Sequence, residues 1–525
     1  MRLTRALSLL FLGAVSPLSA QASRNWRPDD RVLIGDWTVI RAVAAGPERV
    51  FVVSPDAVLS WSPLVRRWAG PYEPPVPGAL ERVTAGMIDP LDNSLWLATT
   101  TGWVHFQADL QLWERGEVDA RVLQIAFDMA APYDGLFIRT AGGWLKVPRG
   151  GFTAVPSAAP IRPVSPATVA QAIASNPALG GSSSAFLLDP SLRTARLTSA
   201  ARSFDNLGWF LGTDGVGALW MPDGTVVPQR LSFGLPGSVV GAIYAVPGGI
   251  WAMTDREESS PAALTFIASD LSEFRVFSGP AATGLPFTRA RRLIGVGSAL
   301  WAATDAGLVR FSTDNPANVT RIAEAQGLPD RRVNTVVSRR GVIVAGTARG
   351  LARVVDSTGA EGLAPDYAGA VSALAMGTDT VWVGTPNGPR GAVADQSALI
   401  RPVSVEETAA FGRPIYDFAW MADTLVGVTS DQFAWKAPAE DRWTLGAPIS
   451  GVLGPLRRLV AEGDGFWVAG DLGVGWTRLE GIPVRPLLVG ADLPGLPLDL
   501  AVDAEYLWVA TTDGLVRFRL REVRP

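Results

Sequence analysis

Three observations predict an all-β fold made of stacked four-stranded units. The first is a phrase that recurs along the chain: Leu95-Trp96-Leu97-Ala98-Thr99, Leu300-Trp301-Ala302-Ala303-Thr304, Val381-Trp382-Val383-Gly384-Thr385 and Leu507-Trp508-Val509-Ala510-Thr511. The second is its punctuation, a Thr-x-x-Gly hairpin after the phrase and a Gly-Leu-Pro triplet between units, as at Gly234, Gly284, Gly327 and Gly495. The third is its period. Anchors at Phe51, Trp96, Phe137, Trp209, Trp251, Trp301, Ile343, Trp382, Leu425, Trp467 and Trp508 lie 39–50 residues apart, except for a gap of 72 after Phe137. Repeats of about 40–45 residues with four strands each are the mark of a β-propeller. About 11–12 units exceed the four to eight blades of one ring, so two rings are predicted.

The elements follow in chain order. Residues 1–22 read as a signal peptide: Arg2 and Arg5, an apolar run over 6–15, then Ala20-Gln21-Ala22. Residues 23–284 form the first propeller and 285–525 the second. The chain stops just after Phe518, before a full fourth strand. Arg31-Val32-Leu33-Ile34 is expected to supply that strand and lock a ring shut. In each unit a first strand such as Val333–Val337 precedes the anchor strand. A hairpin leads to a third strand such as Gly307–Phe311, and a weaker fourth follows, as at Val319–Ile322. Glycine frees the backbone at Gly-Leu-Pro and proline stops the ladder, so this triplet separates units. The anchor strands are apolar on both faces, as in Leu507-Trp508-Val509-Ala510. Neighbouring residues of a strand point to opposite faces, so these strands lie between two other sheets and the indoles are inter-sheet core.

One stretch breaks the pattern, a helical excursion near residues 160–182. Ser165 as N-cap with Pro166 after it predicts a helix start, and Gly180-Gly181-Ser182-Ser183-Ser184 a loop.

Composition excludes several classes of function. The chain has no cysteine and a single histidine, so disulfides, thiolate metal sites and histidine metal clusters are ruled out. Its 46 basic and 50 acidic side chains leave a net charge of −4, which argues against nucleic-acid binding. Lys146 and Lys436 are the only lysines, the other basic residues being arginine. No later run of about 18 apolar residues predicts a transmembrane span.

The order Gly-Leu-Pro, variable residues, a strand, Leu-Trp-Val-Ala-Thr, x-x-Gly-Leu and x-Arg-Phe resembles the two-component regulator propeller repeat. The clearest copies span Gly284–Phe311, Gly327–Val354 and Gly495–Phe518, with degenerate copies over nearly the whole chain. The resemblance implies a periplasmic sensing propeller, a class in which several members respond to glycans. With no membrane helix, kinase or DNA-binding part before Pro525, what it implies here is a secreted, ligand-binding ring.

The catalytic repertoire is thin. Any Ser-His-Asp triad must use His105; in Trp103-Val104-His105-Phe106 it reads as a satisfied structural residue. No Gly-x-Ser-x-Gly elbow or calcium loop is present. No catalytic residue, metal or cofactor is assigned. Carboxylate and arginine chemistry remains. Alternate connections of an up-down meander share one face, which puts the Gly-Leu-Pro loops beside the Thr-x-x-Gly hairpins. Arg289, Arg291, Asp305, Asp330, Arg331, Arg332 and Asn334 are expected near that face as the ligand-binding group, with Arg292 in the same arginine cluster after Gly-Leu-Pro but outside that group. The aspartates before the hairpin glycines are turn-formers first. The expected function is a secreted or periplasmic, non-enzymatic propeller that binds a small molecule, glycan or protein on its loop face, the partner being an unknown ligand or envelope protein. The alternative is a polysaccharide hydrolase or lyase using carboxylates and arginine.

Overall fold

The computed structural model describes residues 26–524 apart from 28, 177–178, 180–185, 189–193, 259, 280–283, 364–366, 378–379, 395–399, 403–411, 438–439 and 441. The expected leader and the glycine-serine loop at 180–184 lie outside the described residues.

Eleven small antiparallel sheets follow one another along the chain. Sheets 1 to 4 occupy residues 42–72, 83–117, 124–164 and 186–230; sheets 5 to 8 occupy 240–277, 290–322, 333–363 and 373–402. Sheets 9 and 10 occupy 417–448 and 456–488, and sheet 11 occupies 497–519. Sheet 11 takes its fourth strand from the other end of the molecule. Arg31–Ile34 pairs antiparallel with the last strand, Arg31 opposite Phe518 and Ile34 opposite Leu515. Val32 and Ile34 are buried there.

The anchor indoles sit between sheets. Trp301 of sheet 6 packs with Val333 and Val336 of sheet 7, Trp467 of sheet 10 with Leu500 and Val509 of sheet 11, and Trp508 of sheet 11 with Val240 and Ile250 of sheet 5. Three anchors shift by one residue from their expected positions. In sheet 4 the residue that packs toward sheet 1 is Phe210, not Trp209, which packs with Ala172 and Leu179 of the excursion. In sheet 7 the residue that faces the following sheet is Val344, not Ile343, and in sheet 9 it is Val426, not Leu425. A one-residue slip turns a strand side chain to the opposite face. The hairpin threonines, Thr347 and Thr429, mark the correct register three residues on.

The inner strands of sheets 5 to 11 touch one another in order, and the last, Pro497–Val502, returns to the first, Val240–Val246. They form a closed circle of seven. Sheet 5, which the sequence division at Gly284 groups with the earlier sheets, lies in this circle between sheets 6 and 11. Among sheets 1 to 4, the inner strand of sheet 1 touches those of sheets 2 and 4. Two connections run side by side between the groups: residues 35–41 lead from the N-terminal strand to sheet 1, and residues 231–239 lead from sheet 4 to sheet 5. They bridge at Asp36 and Leu235, with Trp37 edge-on to Phe233 at 5.5 Å.

The excursion after sheet 3 does hold a helix, at Val169–Ser175, but its N-cap is Thr168 and not Ser165. The reason is a capping box. The Thr168 hydroxyl accepts from Gln171 N at 3.2 Å while Gln171 Oε1 accepts from Thr168 N at 2.8 Å. Before the helix, Pro163–Val164 pairs on the inner edge of sheet 3. Asp128 fastens this segment by accepting from Ile161 N and Arg162 N, each at 2.8 Å.

Candidate functional site

The hairpins account for the recurring threonine. Thr304, Thr347, Thr385 and Thr511 each donate their hydroxyl to the carbonyl of the glycine three residues on, at 2.6–2.9 Å. Each also accepts from the backbone N two residues ahead. The glycines need their freedom: Gly307 has φ +128°, and a Cβ there would lie 2.4 Å from Ile322 O.

The residues expected to gather on this face are mostly engaged in shaping it. Asp305 accepts from Thr288 N at 2.9 Å and Arg289 N at 3.0 Å, and from the Thr288 hydroxyl. Asp330 accepts from Arg332 N at 2.8 Å, with the Arg332 and Arg349 guanidinium groups each 3.6 Å away. Arg331 donates its backbone N to Glu324 at 3.3 Å, and Asn334 donates its amide to Val371 O at 2.9 Å. Arg289, Arg331 and Arg332 are exposed. A carboxylate missed in the sequence joins them. Asp255 accepts from Ala290 N at 2.8 Å, and burial pushes its carboxyl up to about 6. A carboxyl raised in the folded chain holds its proton longer than in the unfolded chain, so it withdraws stability as pH climbs from about 4 through 6. Asp255→Asn should therefore melt higher than the parent at pH 7.5 and show no gain at pH 4, read by calorimetry at both pH values; equal shifts at both would contradict this.

Deeper along the axis lies a layer of charge. Five of the seven inner strands, in sheets 5, 6, 7, 10 and 11, slip register by one residue at the same place. A bulge re-aims the side chain that follows it. The residues paired just behind the hairpin threonine, or behind Gly470 at that position in sheet 10, are then Ala242, Arg292, Thr335, Ala373, Asp417, Arg458 and Asp499, one per sheet. Four are charged and meet. Arg292 reaches from sheet 6 to Asp417 of sheet 9 at 3.2 Å and to Asp499 of sheet 11 at 3.5 Å. Arg458 stands 3.5 Å from Asp499 and donates to Leu498 O at 3.0 Å and across the circle to Arg291 O at 2.8 Å. Both carboxylates also bind backbone: Asp499 takes Ile243 N at 3.0 Å, and Asp417 takes Leu459 N at 3.2 Å and Phe418 N at 3.0 Å. Burial raises the Asp499 carboxyl above its usual range, although both arginines oppose this. Of these residues, sequence reasoning grouped only Arg291 and Arg292. The missed signal is positional: Arg292, Asp417, Arg458 and Asp499 each stand nine residues before the true anchor of their unit.

On the far side of this layer from the Thr-x-x-Gly hairpins, a cavity of about 1,270 Å³ opens within the circle, lined by residues of sheets 5 to 10. Arg292 is at its base, still 25% exposed to it. Tyr244, Met376, Trp382 and Trp420 contribute its apolar walls, with Arg339, Lys436 and Asp423 also on the lining. Arg339 donates to Met376 O at 3.0 Å, and the Lys436 ammonium lies 5.6 Å from the Trp382 ring centre.

The lone histidine is satisfied on both nitrogens. His105 Nε2 is 2.8 Å from Ser94 Oγ and Nδ1 2.8 Å from Glu114 Oε2, and its ring stacks on Trp96 at 4.0 Å. The order hydroxyl, imidazole, carboxylate is that of a hydrolytic triad, yet Ser94 is 3% exposed and His105 5%. The nearest backbone donors are taken: Asn93 N by Asp89 O, and Ser94 N by Asp92 Oδ1. With a sealed nucleophile and these amides engaged, the arrangement holds sheet 2 together. Among the described residues there is no group of three or more metal-ligating side chains, and no helix is long and apolar enough to cross a membrane.

No protein-family model matches the chain, and no curated protein matches it in sequence. Solved structures do match. PorZ, a surface component of the type-IX secretion system of Porphyromonas gingivalis, is similar with a TM-score of 0.55 and 12% identity, over 93% of this chain and 87% of that one. The extracellular domain of a hybrid two-component system from B. thetaiotaomicron matches with a TM-score of 0.43 and 11% identity, over 91% of this chain and 70% of that one. Virginiamycin B lyase from Staphylococcus aureus matches with a TM-score of 0.42 and 14% identity, over 53% of this chain and 94% of that one. At these identities the likeness is one of fold: the chain is a propeller-type all-β protein, with extracellular domains of two-component sensors among its structural neighbours.

Proposed function

We propose that this is an exported, non-enzymatic binding protein whose ligand enters the cavity inside the circle of seven inner strands. The arrangement behind this reading is two rings, one of four sheets and one of seven, with the change of ring after Arg230. The observation that carries it is the cavity itself. Arg292 of the charged layer stands at its base, its walls are aromatic, and Arg339 and Lys436 bring positive charge to a lining that also holds Asp423. A concave, largely apolar site with a few placed polar groups is the usual form of a small-molecule site. The chemistry that fits is a ligand with a flat face to lie on Trp420 or Trp382 and an anionic group for Arg339, a description that acidic sugars and aromatic acids share.

The competing reading, a polysaccharide hydrolase or lyase, needs a pair of carboxylates, and the cavity lining offers Asp423 alone, with Asp417 and Asp499 behind its base. Each is bound by arginine and by backbone N–H in the buried layer, and neither is on the cavity lining, where a substrate would have to meet it.

The test is a calorimetric titration of a panel of acidic oligosaccharides and aromatic carboxylates, with product release followed on the same panel. A binder is expected without turnover. Trp420→Ala and Arg339→Ala should each weaken it by about tenfold or more, about 1.4 kcal/mol, while replacing Arg331 and Arg332 together by alanine should leave its affinity unchanged. The reverse pattern would place the ligand on the Thr-x-x-Gly face, and turnover would favour the enzyme.

A further inference from the structure

A second groove, of about 720 Å³, lies where sheet 1 meets the N-terminal strand, sheet 5 and sheet 11. Arg517 lines it from the third strand of sheet 11, opposite Val32 of the N-terminal strand. This side chain is anomalous. It is 6% exposed and lies over the Tyr506 ring at 4.3 Å from its centre, yet no carboxylate pairs with it among the described residues. One Nη donates to Ser269 O across to sheet 5, and Nε is buried without a partner. Burial pulls the guanidinium below its usual range. A buried charge without a counter-ion is a standing penalty that a bound anion would remove.

The surroundings supply hydroxyl donors together with charges of both signs, Arg49 and Arg67 lining the groove along with four acidic residues. Ser60, Ser62 and Tyr72 bring hydroxyls to the groove, with Trp68 beside them. Of the acidic residues on its lining, Asp109 is taken by Arg49 at 2.7 Å and Asp270 by Ser272, while Asp29 and Glu48 are exposed at the mouth. That residual negative charge disfavours a dianion and tolerates a monoanion.

We propose that this groove is a second binding site, specific for a small molecule carrying a carboxylate. The carboxylate takes the remaining N–H edge of Arg517, a charge-assisted bond, together with hydroxyls of Ser60, Ser62 or Tyr72. The body of the ligand lies along Trp68 and Tyr72. Because the groove is built on the N-terminal strand and the last strand together, occupancy also stabilises their pairing.

The experiment is thermal unfolding of the full chain carrying Arg339→Ala, which removes the anion partner proposed for the main cavity, with benzoate or glucuronate, against benzamide and glucose as uncharged counterparts and inorganic phosphate as a dianion. The acids should raise the melting temperature and the uncharged counterparts should not. Arg517→Met should abolish that shift and, without ligand, melt higher than the parent, because it removes an uncompensated charge. Added to the Arg339→Ala background, Ser60→Ala should fold normally and weaken the acid several-fold. The proposal is overturned if neither acid shifts the melting temperature. It is overturned equally if the shift survives in Arg517→Met, if ligand-free Arg517→Met melts lower than the parent, or if phosphate acts as strongly as the acids.

Discussion

Deleting residues 29–36 is expected to cause the largest loss of stability available from so short a change. The segment supplies the fourth strand of sheet 11, and Val32 and Ile34 leave water completely or nearly so. Burial of two such aliphatic side chains is worth about 2 kcal/mol each. The deletion also strips hydrogen-bond partners from the strand at 514–519, which becomes an exposed edge able to pair with other chains. Arg31 adds polar ties, to Asp492 O at 2.7 Å and to Glu73 at 2.9 Å. A fall in the melting temperature, accompanied by concentration-dependent aggregation, is the expected calorimetric result. An unchanged melting temperature would refute the role of this strand.

The second large effect belongs to the charged layer. Asp499→Ala leaves Arg292 and Arg458 facing each other with only Asp417 between them, and strands Ile243 N–H. Breaking one partner of a buried ion pair costs about 3–5 kcal/mol, which urea unfolding can measure. Asp499→Asn should cost clearly less, because it keeps an acceptor for Ile243 N and because burial already disfavours the charged carboxylate. Adding Arg292→Met to Asp499→Ala should recover part of the loss, since the sites are in contact and their effects are not additive. Equal destabilisation by alanine and asparagine would contradict this, because it would show that the acceptor for Ile243 N contributes nothing and the lost charge accounts for the whole effect.

Much of the architecture was legible because each unit repeats a local solution. An indole between two sheets and a threonine that caps its own hairpin depend only on neighbours in sequence, and both recur with little change. The N-terminal strand was legible for a related reason: the last unit is one strand short. In three copies the pattern misled by one residue, at Trp209, where Phe210 holds the position, and in two copies that lack the tryptophan. Ile343 and Leu425 look like anchors by size, while Val344 and Val426 hold the position, three residues before the hairpin threonine. The site was harder. The fold brings Arg292 and Asp417 together although they are 125 residues apart, and a register slip decides which of Arg291 and Arg292 reaches the axis. No local pattern states which ends of the inner strands stay open, so the arginine-rich loops drew attention to the face away from the cavity. Asp417, Arg458 and Asp499 become visible only when the units are aligned on the hairpin threonine and one position is compared across them.

The cavity depends on the seven inner strands forming a closed circle, and the sheet that completes it is itself completed by Arg31–Ile34. The absence of native cysteine allows a direct test. Leu33 and Val516 are directly opposed across the closing strands, and opposed residues of an antiparallel pair have Cα atoms about 4.5–5.5 Å apart, within disulfide range. The Leu33→Cys/Val516→Cys double variant should form one reducible cross-link on mild oxidation, found as a linked peptide pair by mass spectrometry. Leu33→Cys/Leu515→Cys, one residue out of register, should not. Free thiols in the first variant, or equal cross-linking in both, would contradict the closure on which the cavity rests.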